Sequence, residues 1–289
     1  MIKPNLSNPL PFKKKKIIAL FSGFDDTPIL LWQTARARGD TALPILFYEF
    51  INRYPRFWQG KKKTILPIGQ LGGLINFLKK NQVSHFIIAG KLERLPLKKL
   101  SLDLTAKIFL AKNIGIYKKG DDALLSALAK FIAKATNSQL LSTTDYLQNS
   151  PSSKHHFAKG LLVGKKPNKT AWQDFHKGQK ILNTISQFDI GQGLVIAEGL
   201  TLAIEAMAGT DHMIKTCRRL TKNRQAILIK NFKMRQNKKL DAPSIGPDTI
   251  KQAHLANITG IFLHHQGNMI NAEKIKQLAR QYKIFIWLF

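Results

Sequence analysis

Ile17-Ile18-Ala19-Leu20-Phe21-Ser22-Gly23-Phe24-Asp25-Asp26-Thr27-Pro28 is the stretch that decides the fold. Its opening apolar run is unbroken and too short for a helix, which predicts a parallel strand buried on both faces. Ser22-Gly23 ends the run. Pro28 then suits a first helical turn, with Asp26 or Thr27 as cap. Strand, glycine turn and helix in this order predict the first unit of an α/β domain. Lys13 to Lys16, just upstream, superficially suggest a secretory leader. The apolar run after them is too short for a leader's hydrophobic segment. Residues 1–12 read as a loose arm.

The same alternation continues outward. The first helix is expected to stop at Gly39. Strands follow at Leu43–Tyr48 and Thr64–Ile68, then an amphipathic helix over Gly69–Lys80, with Leu71, Leu74, Ile75 and Leu78 on one face. Phe86–Ala89 is the next strand, ending at Gly90-Lys91, and helices are predicted over Leu102–Ala111 and Asp121–Ala135. Leu141 to Thr170 reads as a loop, rich in Ser, Asn, Pro and Gly, and carries the domain boundary. The second domain predicts a helix over Ala171–Gln187, a hairpin of Leu194–Ala197 and Leu200–Ala206 turning at Glu198-Gly199, and a helix capped by Asp211. Strands at Ala226–Ile229, Ile258–Leu263 and Lys283–Phe289 and helices at Thr249–Ala256 and Ala272–Tyr282 complete it. The expected architecture is α/β in two domains. Residues 1–140 form a Rossmann-like, doubly wound sheet and residues 141–289 a mixed α/β domain, with the site in the cleft between them.

Composition narrows the partners. The chain has 289 residues, 44% hydrophobic, and 46 Lys and Arg against 17 Asp and Glu, giving a net charge of +29. Such a balance says nothing about fold but favours acidic partners: nucleic acid, an anionic membrane, or a phosphorylated substrate. A solvated surface bias explains the charge equally well. With one cysteine, Cys217, no intrachain disulfide or Cys-based zinc site can form. No apolar run approaches the roughly 20 residues needed to span a bilayer.

Against this basic background, acidic groups cluster beside glycines. Phe188-Asp189-Ile190-Gly191-Gln192-Gly193, Glu198-Gly199 and Glu205 to Gly209-Thr210-Asp211 form one such run, with Lys119-Gly120-Asp121-Asp122 upstream and Leu240-Asp241-Ala242-Pro243 downstream. Pro243 forces Ala242 into an extended conformation and stiffens the loop that holds Asp241. Asp241 would otherwise be a loop residue capping the helix near Pro247. Asp121 and Asp122 suit a helix N-terminus, and adjacent carboxylates also suit a shared divalent cation. Thr210 sits where helix N–H groups can meet phosphate, and Glu205 or Asp211 where a metal contact is feasible. Lys91, at the end of a parallel strand, is placed either to meet a ligand or as a surface lysine. His155-His156 and His264-His265 are expected to point to opposite faces, which suits no shared metal. Trp32, Trp58, Trp172 and Trp287 read as core or interface residues.

These motifs, in this order and at this spacing, resemble the UDP-2,3-diacylglucosamine pyrophosphatase family of lipid A biosynthesis, the family unrelated to the calcineurin-like phosphoesterases. The resemblance runs through most of the chain. It implies cleavage of the diphosphate of UDP-2,3-diacylglucosamine to UMP and 2,3-diacylglucosamine 1-phosphate. By the same resemblance Asp241 is catalytic, and Mg²⁺ is the cofactor, held among Asp121, Asp122, Glu205, Asp211 and Asp241. Substrate contacts would fall to Ser22, Gly23, Gly90, Lys91, Gly120, Gln192, Thr210, Lys233 and Gln236. The family pattern is broken at Ala208, Met234, Asn237 and Lys239, where it has Glu, Pro, Asp and Arg. The implied partners are the lipid-linked UDP-sugar and the anionic cytoplasmic face of a Gram-negative inner membrane; no nucleic acid is expected and a homodimer stays open. The alternatives are a lipid-binding relative with impaired catalysis, or a basic nucleic-acid-binding protein supported by charge alone.

Overall fold

A computed structural model of the chain describes residues 15–90, 92, 95–117, 121–148, 158–233 and 242–289, with only the backbone of residues 116, 117, 121, 122 and 148. The expected arm at 1–12 lies outside these residues. In the first half, β1 (Ile17–Ser22), β2 (Thr41–Phe47), β3 (Thr64–Leu66), β4 (His85–Ala89) and β5 (Gln139–Leu140) pair in the order β3-β2-β1-β4-β5, all parallel. The connecting helices are α1 (Thr27–Arg38), α2 (Leu71–Lys80), α3 (Leu104–Lys112), α4 (Ile114–Tyr117), α5 (Asp121–Thr136) and α6 (Thr143–Gln148).

The unbroken apolar run of β1 is explained by what lies on each side of it. Ile18 and Leu20 pack with Leu31 and Ala35 of α1 and Tyr146 of α6. Ala19 and Phe21 pack with residues of α2, α3 and α5. Each fully buried Ile, Leu or Phe among these contributes about 1.5–3 kcal/mol, so neither face tolerates a polar residue. Gly39 ends α1 in a left-handed conformation. Asp26 is the N-cap as expected, but its side chain makes no cap bond, and the Thr27 N–H is taken by Asp25 Oδ1 at 2.9 Å.

The second half forms a mixed sheet in the order β6-β13-β11-β9-β7-β8. Its strands are β6 (Gly160–Val163), β7 (Gly193–Ala197), β8 (Leu200–Ile204), β9 (Ala226–Lys230), β11 (Ile258–Leu263) and β13 (Phe285–Leu288); β10 (Ser244–Ile245) and β12 (Asn268–Met269) pair separately. β9, β11 and β13 run parallel, whereas β7 and β6 run against them. α7 (Lys169–Ser186) covers one face through Phe175 and Leu182. α8 (Thr210–Cys217), α9 (Pro247–Leu255) and α10 (Ala272–Gln281) cover the other. The α/β class is therefore as expected, with a parallel sheet and a second, mixed one.

Two expectations fail locally. Leu141–Thr170 is not all loop, because it contains α6, β6 and the start of α7. Six-residue α6 has too few turns to show a periodicity, and β6 is a four-residue edge strand. On β8 the expected alternation is disturbed by a register shift opposite Val195 and Ile196, so Leu202 and Ala203 both reach the core. Among the described residues the two halves touch through Thr144 Oγ1, which donates to Asn268 Oδ1 at 2.7 Å.

Candidate functional site

One edge of the second sheet gathers most of the chemistry. Because β9, β11 and β13 are parallel and β7 runs the opposite way, the carboxyl ends of β8, β9, β11 and β13 and the amino end of β7 share that edge. Lys230 is the last residue of β9, in phase with buried Ala226 and Leu228. Its side chain is only 4% exposed. Burial of an ammonium is tolerable only with a counter-charge and hydrogen bonds. Both are supplied: Lys230 Nζ lies 3.0 Å and 3.3 Å from the Glu205 carboxylate oxygens and also donates to Thr210 Oγ1. Thr210 Oγ1 in turn donates to Glu205 Oε1 at 2.6 Å. Burial by itself would raise the Glu205 carboxyl. The Lys230 charge, with hydrogen bonds from Thr210, Lys230 and the Gln192 backbone, outweighs it and holds the group below its ordinary value.

A second pair lies beside the first. Lys233 Nζ donates to Asp189 Oδ1, closing the segment after β9 onto the segment before β7. Asp189 takes a left-handed conformation there, with φ of 55°. The two segments are drawn together further by Asn231 N–H donating to Gln192 O at 2.9 Å. Gly191 passes so close to Glu205 that a Cβ at 191 would sit 1.9 Å from the Glu205 carbonyl oxygen. Only glycine fits this approach. On the far side His264 N–H donates to Lys230 O at 3.0 Å. The His264 and His265 rings stack with centroids 4.6 Å apart, against the expectation of opposite faces, because both residues follow the end of β11 rather than lying in it.

The first sheet has its own glycine-lined edge. Gly23 N–H donates to Ala89 O at 2.7 Å, joining the turn after β1 to the end of β4. Gly90 has φ of +89°, and a Cβ there would sit 3.0 Å from Gly23 Cα. β1 lies between β2 and β4, so the chain turns opposite ways from these strands, and such switch points are where open α/β sheets bind ligands. Tyr54 spans the neighbouring gap: its hydroxyl donates to Ser22 O at 2.7 Å and accepts from Phe47 N–H at 2.9 Å. Burial pushes that phenol up to about 12, against the Phe47 N–H, so it stays a donor at neutral pH.

The expected site residues that the structure describes can now be placed. Gln192, Glu205, Thr210 and Lys233 come together at the edge of the second sheet. Ser22, Gly23 and Gly90 come together at the edge of the first. The Ser22 hydroxyl is turned back onto Leu20 O at 3.0 Å and is fully buried. Asp211 lies in the first turn of α8 rather than capping it, and its Oδ1 accepts from Thr249 Oγ1 at 3.2 Å. Lys91, Gly120, Gln236 and Asp241 lie outside the described residues; Asp121 and Asp122 open α5, their side chains undescribed. For a metal, Glu205 does not fit, because both of its oxygens are engaged by Lys230 and Thr210. Among the described residues no three His, Cys, Asp or Glu side chains group to hold an ion. Lys230, Tyr54 and the stacked histidines were not anticipated. The signal for Lys230 was present: a lysine in phase with the buried positions of an apolar strand requires a buried partner.

Comparison with known proteins settles the family. Residues 17–150 match the family model of the LpxI N-terminal domain and residues 158–287 that of the LpxI C-terminal domain. The chain belongs to the LpxI family. A relative from Caulobacter vibrioides, UDP-2,3-diacylglucosamine pyrophosphatase LpxI, is 28% identical over 255 residues, covering 84% of this chain and 86% of that protein. As an LpxI-family chain it has no helix, among the described residues, long and apolar enough to cross a membrane.

Proposed function

We propose that the protein hydrolyses the diphosphate of UDP-2,3-diacylglucosamine to UMP and 2,3-diacylglucosamine 1-phosphate, a step of lipid A biosynthesis. The observation that carries this reading is that both LpxI domains match in order along the chain, together with a relative whose name states that activity. Water adds to one phosphorus, the bridging P–O bond breaks, and the departing phosphate leaves with its electron pair while the water's proton passes to a base. Asp241 is the carboxylate assigned to hold that water. Lys233, immediately before the segment that carries Asp241, is the phosphate contact; on substrate binding it exchanges Asp189 for a phosphate oxygen of similar charge. Gln192 and the Gly23–Gly90 turn complete the substrate contacts, with Lys91, Gly120 and Gln236.

Mg²⁺ belongs to the proposal as well. Asp121, Asp122, Asp211 and Asp241 are the residues that would hold it, with Glu205 withdrawn from that set as the counter-ion of Lys230. When bound, the ion would neutralise the diphosphate. The parallel order of the first sheet supports a Rossmann-like N-terminal domain, and a cleft between the two sheet edges is where a substrate with a nucleotide and two acyl chains would lie. A protein acting on that substrate works at the cytoplasmic side of the membrane, as a peripheral enzyme.

The test is UMP release from UDP-2,3-diacylglucosamine by purified protein with Mg²⁺, beside Asp241→Ala. The expected result is metal-dependent release, reduced on the order of 10²-fold or more in the variant. Absence of release by folded wild-type protein would refute the activity. Full activity in Asp241→Ala would leave the activity and remove Asp241 from it.

A further inference from the structure

We infer that the outer face of α3 and α4 is a docking surface for an anionic lipid membrane. The inference rests on the proposed function in one respect: a substrate with two acyl chains must be taken from a membrane.

α3 is apolar on both of its sides. Ala106 and Phe109 pack into the core shared with α2 and α5. On the opposite side Leu104 and Ile108 are 73% and 47% exposed, Ala111 is exposed, and Ile114 at the start of α4 is 58% exposed. Residues 104, 108 and 111 follow helical spacing and form one stripe. A helix that is apolar all round is ordinarily enclosed by protein or lipid, and contiguous exposed apolar surface on a soluble protein marks an interaction site.

The charge around the stripe selects the occupant. Lys107 and Lys112 are exposed beside it, and Lys98 and Lys99 are exposed in the turn that precedes it. From residue 104 to residue 120 the sequence has no Asp or Glu. Asp103, just before α3, faces inward, taking the N–H groups of Gly72 at 2.6 Å and Ala106 at 2.8 Å. Among the described side chains of this face, lysines and large aliphatic groups thus project together, the pattern of a helix lying in the plane of an anionic bilayer interface. A second copy of this chain would set the same lysines against each other. A nucleic acid would match the lysines and leave Leu104, Ile108 and Ile114 against water.

The position of the face fits substrate delivery. Asp103 ties the start of α3 to the start of α2, the helix that follows the carboxyl end of β3. The start of α3 therefore lies at the carboxyl end of the first sheet, the end at which Gly23 and Gly90 meet. Between α3 and α5 lies a cleft of about 550 Å³, lined by Phe109, Ala123, Ala127 and Phe131 together with polar Asn113, Ser126 and Lys130.

The experiment is flotation of the full chain with phosphatidylcholine vesicles, with and without 30 mol% (roughly the anionic fraction of such leaflets) phosphatidylglycerol. The variants are Ile108→Asp/Ile114→Asp and Lys107→Glu/Lys112→Glu, both at exposed positions, with thermal melts to confirm folding. Wild type is expected to float with anionic vesicles about tenfold more than with neutral ones, and each double variant to lose about tenfold of that binding. Turnover of substrate dispersed in nonionic detergent is expected to be equal in all three. Wild-type flotation without detergent turnover would refute the proposed activity and leave the docking surface standing. Flotation of folded variants at the wild-type level would overturn the docking surface, as would no flotation of wild type. Sedimentation showing that the variants turn a dimer into monomers, with vesicle binding unchanged, would assign the face to a second copy and equally overturn it.

Discussion

Lys230 is the residue on which the candidate site turns. Removing one member of a buried ion pair leaves an uncompensated charge and costs about 3–5 kcal/mol, whereas replacing both by apolar groups of similar size is near neutral. Lys230→Met is therefore expected to lower the urea midpoint steeply, and Glu205→Leu/Lys230→Met to recover most of the loss. Equal loss in the single and double variants would show that the pair is not coupled. The pH dependence follows from the same contacts. Burial raises the Glu205 carboxyl, but the Lys230 charge and the surrounding hydrogen bonds bring it below its ordinary value of 4.5. A depressed folded value stabilises the protein above the unfolded value, and that stabilisation is lost as pH falls through the folded one. Wild type is expected to lose stability below about pH 4.5 more steeply than the double variant, as read from urea midpoints between pH 3 and 6 (roughly a unit and a half either side of the carboxylate range). Sequence spacing showed both residues but not their pairing. Glu205 and Lys230 are 25 positions apart, and only the β8-β7-β9 order brings them together.

At the scale of elements, the hairpin of β7 and β8 depends on a residue outside it. Asp174 of α7 is 2% exposed, and its carboxylate accepts from Glu198 N–H at 2.8 Å and Gly199 N–H at 2.6 Å. Both turn residues have positive φ, 52° and 79°, the conformation of a two-residue hairpin turn that matches strand twist. Asp174→Ala would leave two N–H groups without their charged acceptor, at about 1.5–3 kcal/mol for a charged hydrogen bond. A drop in the denaturant midpoint of that size is expected, with Asp174→Asn intermediate; a change under about 0.5 kcal/mol would mean that water replaces the brace. The hairpin itself was legible from two apolar runs around Glu198-Gly199, and the central strands from runs that a two-sided sheet requires. α6 was not, because its place is set by one contact: Tyr146 fills the space beside Leu31 and Ile87 and donates its hydroxyl to Asp40 at 2.7 Å. No repeat in Thr143–Gln148 announces that. The carboxylates nearest the proposed chemistry were found from their glycine neighbours; of the lysines that neutralise two of them, Lys233 was named from the family resemblance and Lys230 was not, since a lysine in so basic a chain carries little signal by itself.

At the scale of the whole molecule the two sheets are independent hydrophobic systems. The first sheet has its cores on either face, built from residues 18–146, and the second has its own from residues 163–288. Among the described residues neither sheet contributes a strand to the other. The hydrogen bond from Thr144 to Asn268, which joins the halves among the described residues, is a neutral side-chain pair worth about 0.5–1.5 kcal/mol, too little by itself to make two cores unfold as one. Two-state behaviour is a property of single domains, and weakly joined domains depart from it. Denaturation of the full chain is therefore expected to show two transitions by calorimetry, with the calorimetric enthalpy exceeding the van't Hoff enthalpy. A fragment ending at 148 should reproduce one transition and a fragment beginning at 158 the other, each shifted by no more than the loss of the Thr144 contact. Lys230→Met and Asp174→Ala should move only the transition of the second sheet. If either substitution moves both transitions together, or the full chain melts in one step with matching enthalpies, the halves are coupled through more surface than that hydrogen bond, and the site would have to be treated as a property of the assembled pair.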